Sequence, residues 1–170
     1  DGNQLPAGQT GEILVKGPGC MVGYWRDEEA TRKTVIDGWI KTGDQGVMDE
    51  TGLLTFLDRM KDIIISGGMN ISAAELERVG GEFPGIVEVV ALSAKDQKFG
   101  ETPMLVIHAN QEIEIAALIE HFNEHLSDYK VPRYVALETE LLPRLSGGKI
   151  DKTTLRKKYA NAHEELPRVR

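Results

Sequence analysis

The stretch Asp58-Arg59-Met60-Lys61-Asp62-Ile63-Ile64-Ile65-Ser66-Gly67-Gly68-Met69-Asn70-Ile71 divides the 170-residue chain into two unlike parts. Its first five residues are a dense charge cluster between two apolar runs, the composition of a domain junction. Ile63-Ile64-Ile65 is apolar throughout and predicts a buried strand. The double glycine beyond it offers a bare backbone against which a long, thin ligand could lie. Arg59 is a fixed fork of donors suited to ribose or phosphate oxygens, although surface ion pairing before a strand-to-helix loop would account for the same residues.

Downstream of the junction, strand and helix signals alternate over about 100 residues. Ser72 followed by Glu75 is a capping box that opens a helix, and Gly80-Gly81 argue for its early end or a weak last turn. Ile86 to Leu92 and Met104 to His108 are β-branched and apolar, hence strands. Ile115, Leu118, Ile119, Phe122 and Leu126 share one helical face. Tyr134 to Leu137 reads as a short strand, and Asp151 caps a final helix through Tyr159.

Upstream the chain is β-rich, with too few apolar residues for a core of its own. Gly11 to Lys16 reads as a strand. Asp27 caps a helix running toward Ile36, which Gly38 would stop. Gly46-Val47-Met48 and Leu53 to Leu57 form a hairpin around the turn Asp49-Glu50-Thr51-Gly52. The chain opens on Asp1-Gly2-Asn3, a turn-type sequence without an initiator Met, which reads as a piece of something longer.

Composition narrows the classes of function. The chain is 41% hydrophobic and 28% charged, as soluble globular proteins are. A net charge of -7 provides no global basic field for nucleic acid or an anionic membrane. The basic residues near the end (Lys152, Arg156, Lys157, Lys158) are expected on a solvated helix face. Cys20 is the only cysteine, so no internal disulfide can form, which fits a reducing compartment. No apolar run approaches the ~20 residues that span a bilayer, so a cytoplasmic protein without a transmembrane segment is expected. Glycines are spread along the chain, with no internal repeat.

Three further segments bear on chemistry. In Trp39-Ile40-Lys41-Thr42-Gly43-Asp44, the Asp44 carboxylate could accept from the paired hydroxyls of a ribose, or it could be a plain loop aspartate. Leu126-Ser127-Asp128-Tyr129-Lys130-Val131-Pro132 is a helix end followed by proline, with structural roles for Tyr129 and Pro132. In Pro143-Arg144-Leu145-Ser146-Gly147-Gly148-Lys149-Ile150-Asp151, a lysine after two glycines sits on a flexible tether. Its mobile ammonium could stabilise charge on a transferring phosphoryl group or its attacker. The spacing is not that of a P-loop, so a self-contained nucleotide hydrolase is rejected.

Taken in order, and with Gly11-Glu12-Ile13, Gly17-Pro18 and Gly23-Tyr24-Trp25, these segments resemble the C-terminal motifs of the adenylate-forming superfamily. That superfamily comprises acyl-CoA synthetases, peptide-synthetase adenylation domains and luciferases. The resemblance runs to about Tyr159 and implies the C-terminal portion of an AMP-forming acyl-CoA ligase. The implied fold is α+β: residues 1–58 as the β-rich end of a large N-terminal domain, 59–62 as a hinge, and 63–170 as a small mobile α/β domain with a central sheet flanked by helices. Carboxylate and ATP would give an acyl-adenylate, and coenzyme A would then displace AMP. By motif position Asp44 and Arg59 are the implied ribose contacts and Lys149 the implied catalytic lysine. Lys61 falls on the hinge, and Gly67-Gly68 on the coenzyme A channel. Lys149 and the glycine loop are expected on opposite sides of the domain. ATP or AMP, coenzyme A and Mg2+ are the implied ligands of the full-length enzyme, with none expected on the fragment and no metal site in it. The implied partner is the upstream domain, where the phosphate loop, the acyl pocket and the magnesium-holding Glu of the family lie. An adenylation domain of a peptide synthetase and a non-catalytic binding module are the alternatives. Leu145, Gln45, Ala74 and Gly80-Gly81 depart from the family's usual pattern.

Overall fold

The structure, a computed structural model, describes residues 2–170; Asp1, where the expected opening turn begins, lies outside them. The chain forms two compact units, one ending at Lys61 and the other Asp62–Arg170.

The first unit is built on β1 (Thr10–Val15), α1 (Glu28–Thr34), β2 (Val35–Ile36), β3 (Trp39–Met48) and β4 (Leu54–Arg59). All pairings are antiparallel and all involve β3. β1 follows one edge of β3, while β2 and β4 succeed one another along the other. The helix capped by Asp27 stops at Thr34, short of Ile36. Val35 and Ile36 are β-branched and pair with Ile40 and Trp39, and the reversal is made by Asp37 and Gly38, both at positive φ. The segment expected as a loop around Asp44 is thus strand, because β3 begins at Trp39 rather than Gly46. Among the described residues no fully buried apolar side chain lies before Ile64, whereas Val22, Trp25 and Leu53 are exposed. The first unit therefore has no hydrophobic core of its own.

The second unit has one sheet covered on both faces. Its elements are β5 (Ile64–Ser66), β6 (Met69–Ile71), α2 (Ala73–Gly81), β7 (Ile86–Asp96), β8 (Gly100–Ala109), α3 (Ile115–His125), β9 (Tyr134–Glu138), α4 (Lys152–Lys158) and α5 (Ala162–Glu165). β8 is central, antiparallel to β7 along one edge. Its other edge carries β5, antiparallel at Gly100, and then β9, parallel from Met104 to His108. Strand alternation sends Ala91, Leu105, Ile107 and Val135 to one side, where Leu76, Val79, Leu118 and Phe122 of α2 and α3 cover them. The intervening Val90, Leu92, Met104, Val106 and Ala136 face Leu155 of α4 and Ala162 of α5. Burial on both faces is why these strands read as unbroken apolar runs.

The helix capped by Ser72 takes in both glycines as its last two residues and ends with them. A Cβ on Gly80 would lie 3.2 Å from Val89 Cγ2 and 3.3 Å from Phe122 Cζ, so glycine allows α2 to approach β7 and α3 closely. The basic residues of α4 are not simply a solvated face. Lys152 and Arg156 lie 3.4 and 2.6 Å from the Asp62 carboxylate, which is itself only 9% exposed. Among the described residues no helix is long and apolar enough to cross a membrane.

Candidate functional site

In the first unit Asp44 and Arg59 are directly opposed across β3 and β4. The register shifts immediately after this pair, between Gln45 and Gly46, and such bulges re-aim side chains beside them. Asp44 Oδ1 is 2.8 Å from Arg59 Nε, close enough for an ion pair. The alignment does not make a hydrogen bond, however, and Oδ1 is a buried oxygen with no donor. The backbone around it is fixed: Asp44 N donates to Thr42 Oγ1 at 3.0 Å, Thr42 donates to Ile13 O at 2.7 Å, and Gly43 N donates to Glu12 Oε1 at 3.1 Å. A rigid strand thus presents a carboxylate with unfilled acceptor capacity beside a half-exposed guanidinium. That pair can accept from a hydroxyl and donate to a ring or phosphate oxygen.

In the second unit Lys149 sits on a small hairpin. Leu145 N donates to Lys149 O and Gly148 N to Leu145 O, each at 2.8 Å, and Asp151 N donates to Pro143 O at 2.7 Å. Gly148 turns the chain at φ +81°, a backbone conformation that glycine adopts without strain. Asp151 then caps α4, accepting from Thr153 N and Thr154 N. The Lys149 side chain is exposed and its ammonium has no ion-pair partner among the described residues. It is a cation held out on an ordered base.

Sequence reasoning missed what holds that base. Glu88 of β7 has a side chain only 7% exposed, and its Oε2 accepts from Leu142 N at 2.7 Å. Its Oε1 takes the Arg144 guanidinium, whose Nη1 also donates to Gly148 O at 2.6 Å. One buried carboxylate thereby ties both the segment before the hairpin and, through Arg144, the peptide before Lys149. Arg144 was visible within its motif; Glu88, 56 residues away, carried no local signal.

Gly67 and Gly68 make the two-residue turn between β5 and β6, with φ +57° and +83°, the left-handed pair that a primed hairpin turn requires. Gly67 N donates to Phe99 O at 2.9 Å, so the turn lies beside the β7–β8 reversal. Glu88, which anchors the lysine hairpin, is eight residues from Asp96 at that reversal. At ~3.3 Å per residue the two loops are about 26 Å apart along β7. The lysine and the glycine turn therefore occupy opposite ends of the central strands.

Lys61 lies in a single 3-10 turn, Met60–Asp62, where one unit ends and the next begins. Asp62 is firmly part of the second unit. Burial acts to raise its pKa, but Arg156 and Lys152 outweigh that and hold the carboxyl below the usual range. Lys152 also pairs with Glu77 at 2.7 Å, and Glu77 Oε1 accepts from Ala91 N at 3.0 Å, so the network reaches α2 and β7.

No protein-family model matches the chain. It is 40% identical over 93% of its length to a 2-succinylbenzoate–CoA ligase of Listeria innocua, and 39% identical over 92% to a long-chain-fatty-acid–CoA ligase of Escherichia coli. Among solved structures, o-succinylbenzoate CoA synthetase from Bacillus subtilis, in complex with its acyl-adenylate intermediate, aligns over 92% of this chain with a TM-score of 0.85 and 36% identity. By sequence and by fold the chain matches the C-terminal part of adenylate-forming enzymes. More narrowly, it matches the acyl-CoA ligases among them. It spans 34% of the Listeria ligase and 32% of the Bacillus synthetase, about a third of each.

Proposed function

We propose that the chain is the C-terminal part of an ATP-dependent, AMP-forming acyl-CoA ligase, with residues 1–58 completing a large N-terminal domain, 59–62 acting as hinge and 63–170 as the mobile domain. The observation that carries this reading is the likeness to two acyl-CoA ligases over nine-tenths of the chain.

In the proposed reaction a carboxylate oxygen attacks the α-phosphate of ATP, the bond to the β-phosphate bridge breaks, and pyrophosphate leaves. A thiolate of coenzyme A then attacks the acyl carbon and AMP departs. The roles of this chain are binding, orientation and charge stabilisation. The partly exposed Asp44 carboxylate fits a ribose hydroxyl, and the adjacent Arg59 guanidinium fits a second ribose oxygen. Lys149, unpaired and exposed on a braced hairpin, supplies positive charge to the carboxylate and α-phosphate as they approach. The Gly67-Gly68 turn, at the far end of the same sheet, lines the pantetheine path when the domain has swung about Lys61. Two loops about 26 Å apart cannot serve one centre at once, which is the physical ground for alternate presentation. Magnesium accompanies ATP in this scheme, and no residue of this chain is assigned to hold it. The isolated chain, lacking the acyl pocket of the proposed upstream domain, is inactive.

The test is carboxylate-dependent ATP–pyrophosphate exchange in the longer protein, its Lys149→Ala variant and the 170-residue chain, across fatty, aromatic and short-chain acids. The reading expects exchange in the first, its loss in the second and silence in the third. Turnover by the isolated chain, or full exchange by the Lys149→Ala protein, overturns it.

A further inference from the structure

Where α2 ends against α3, three side chains with metal-ligating chemistry converge. Glu82 caps the C-terminus of α2, and His121 and His125 stand one turn apart on α3, on the same helical face. One ligating atom from each of the three lies within 4.8 Å of the other two. The imidazole rings are 4.4 Å apart, centroid to centroid.

The hydrogen bonds of the two rings fix which nitrogens are available. His121 Nε2 is 3.0 Å from the carbonyl of Val79, and His125 Nδ1 is 2.8 Å from the carbonyl of His121. A carbonyl only accepts, so both of these nitrogens carry the proton. In the neutral rings, His121 Nδ1 and His125 Nε2 are therefore left as lone pairs. A ring N–H tied to a backbone carbonyl, with the other nitrogen bare, is the arrangement that orients histidines for metal. Arg78 occupies Glu82 Oε1 at 2.8 Å, which leaves Oε2.

We propose that Glu82, His121 and His125 form a divalent transition-metal site of the zinc class, joining the end of α2 to α3. Two imidazoles and a carboxylate suit Zn2+ better than magnesium or calcium, which prefer all-oxygen sets. Bonds of ~2.05 Å to a tetrahedral ion put donor atoms roughly 3.4 Å apart, so binding requires the side chains to close in by rearrangement. Glu82 and His125 are exposed side chains, free to supply it, and their exposure leaves the fourth position to water. The proposal does not depend on the roles proposed for Asp44, Arg59 and Lys149.

The experiment is a calorimetric zinc titration of the full chain, all variants carrying Cys20→Ser so that the one thiol does not compete. Thermal melts are recorded with and without zinc. One saturable site per chain is expected, with a zinc-dependent rise in melting temperature. His125→Ala should abolish the rise and weaken binding at least about tenfold, while Glu82→Gln should weaken binding less. Both positions are exposed, and metal-free melts unchanged from the parent show that the variants fold. Absence of a saturable site overturns the proposal, as does zinc binding that both variants leave intact.

Discussion

Replacing Glu88 with alanine tests the brace beneath Lys149 by removing one carboxylate that serves two partners. Leu142 is 2% exposed, and its backbone N–H gives its hydrogen bond to Glu88 Oε2. Without that acceptor the N–H is left buried and unpaired, a cost of about 1–3 kcal/mol. The ion pair with Arg144 adds little, about 0–1 kcal/mol, because the guanidinium is 46% exposed. A total of about 1–4 kcal/mol, acting on a unit of roughly 110 residues whose unfolding entropy is ~0.23 kcal/mol/K, lowers the melting temperature by about 4–17 °C. Glu88→Gln separates the two contributions. Its amide oxygen still accepts from Leu142 while the charge on Arg144 is lost, so the expected shift is under about 4 °C. Circular dichroism melts of the chain measure both. In the longer protein, pyrophosphate exchange should fall on the order of 100-fold for Glu88→Ala, since a displacement of about 1 Å at a positioned group has that effect. Equal melting shifts for the alanine and glutamine variants would refute the assignment of the buried N–H as the dominant cost.

Two more predictions concern packing and charge. Gly80→Ala should destabilise by ~1 kcal/mol, because crowding against Val89 and the buried Phe122 outweighs the ~1 kcal/mol gain in helix propensity; Gly81→Ala, whose Cβ would meet only Val89 Cγ1 at 4.0 Å, should be neutral or stabilising in the same urea titrations. Asp62→Asn should destabilise near neutral pH, and the difference from the parent should vanish in acid. The pKa of Asp62 is lowered from 3.8 in the folded state, so its contribution is present above that value and is lost as pH falls through the folded pKa. Urea titrations at neutral and strongly acidic pH decide it, and a difference that persists in acid counts against the ion-pair account.

The second unit was legible because its local signals agree with its tertiary structure. Ser72 Oγ accepts from Glu75 N at 3.1 Å, as the capping box predicted. The run Met104 to His108 became a central strand with both faces buried. Signals failed or fell short where long-range contacts overrode local preference. Gly80-Gly81 weaken an isolated helix, yet the approach of Val89 and Phe122 gives the glycines a packing reason that no nearby residue reveals. Val35-Ile36 joined β3 because strand pairing rewards β-branched residues more than one further helical turn would. For the candidate site, motif spacing located Asp44, Arg59 and Lys149. The carboxylates that brace them from other strands, Glu12 on β1 and Glu88 on β7, carried no local signal of that role.

The same contacts narrow the proposed hinge. Arg59 is the last residue of β4 and sits opposite Asp44, so its backbone belongs to the first sheet and cannot turn without breaking that pairing. Asp62 is held by Lys152 and Arg156 of α4, and through Lys152 it is linked to Glu77 on α2. A rotation that moved Asp62 relative to the second unit would strip a nearly buried carboxylate of both cations, and uncompensated buried charge is costly, on the order of 3–5 kcal/mol. Rotation about φ and ψ at Met60 and Lys61 disturbs neither anchor. A pivot confined to two residues swings the rest of a domain as a rigid body, which is what exchanging one end of its sheet for the other demands. Under the proposed hinge the charged cluster would divide by role: Arg59 and Asp62 are each held within their own unit, and Met60 and Lys61 would carry the swing.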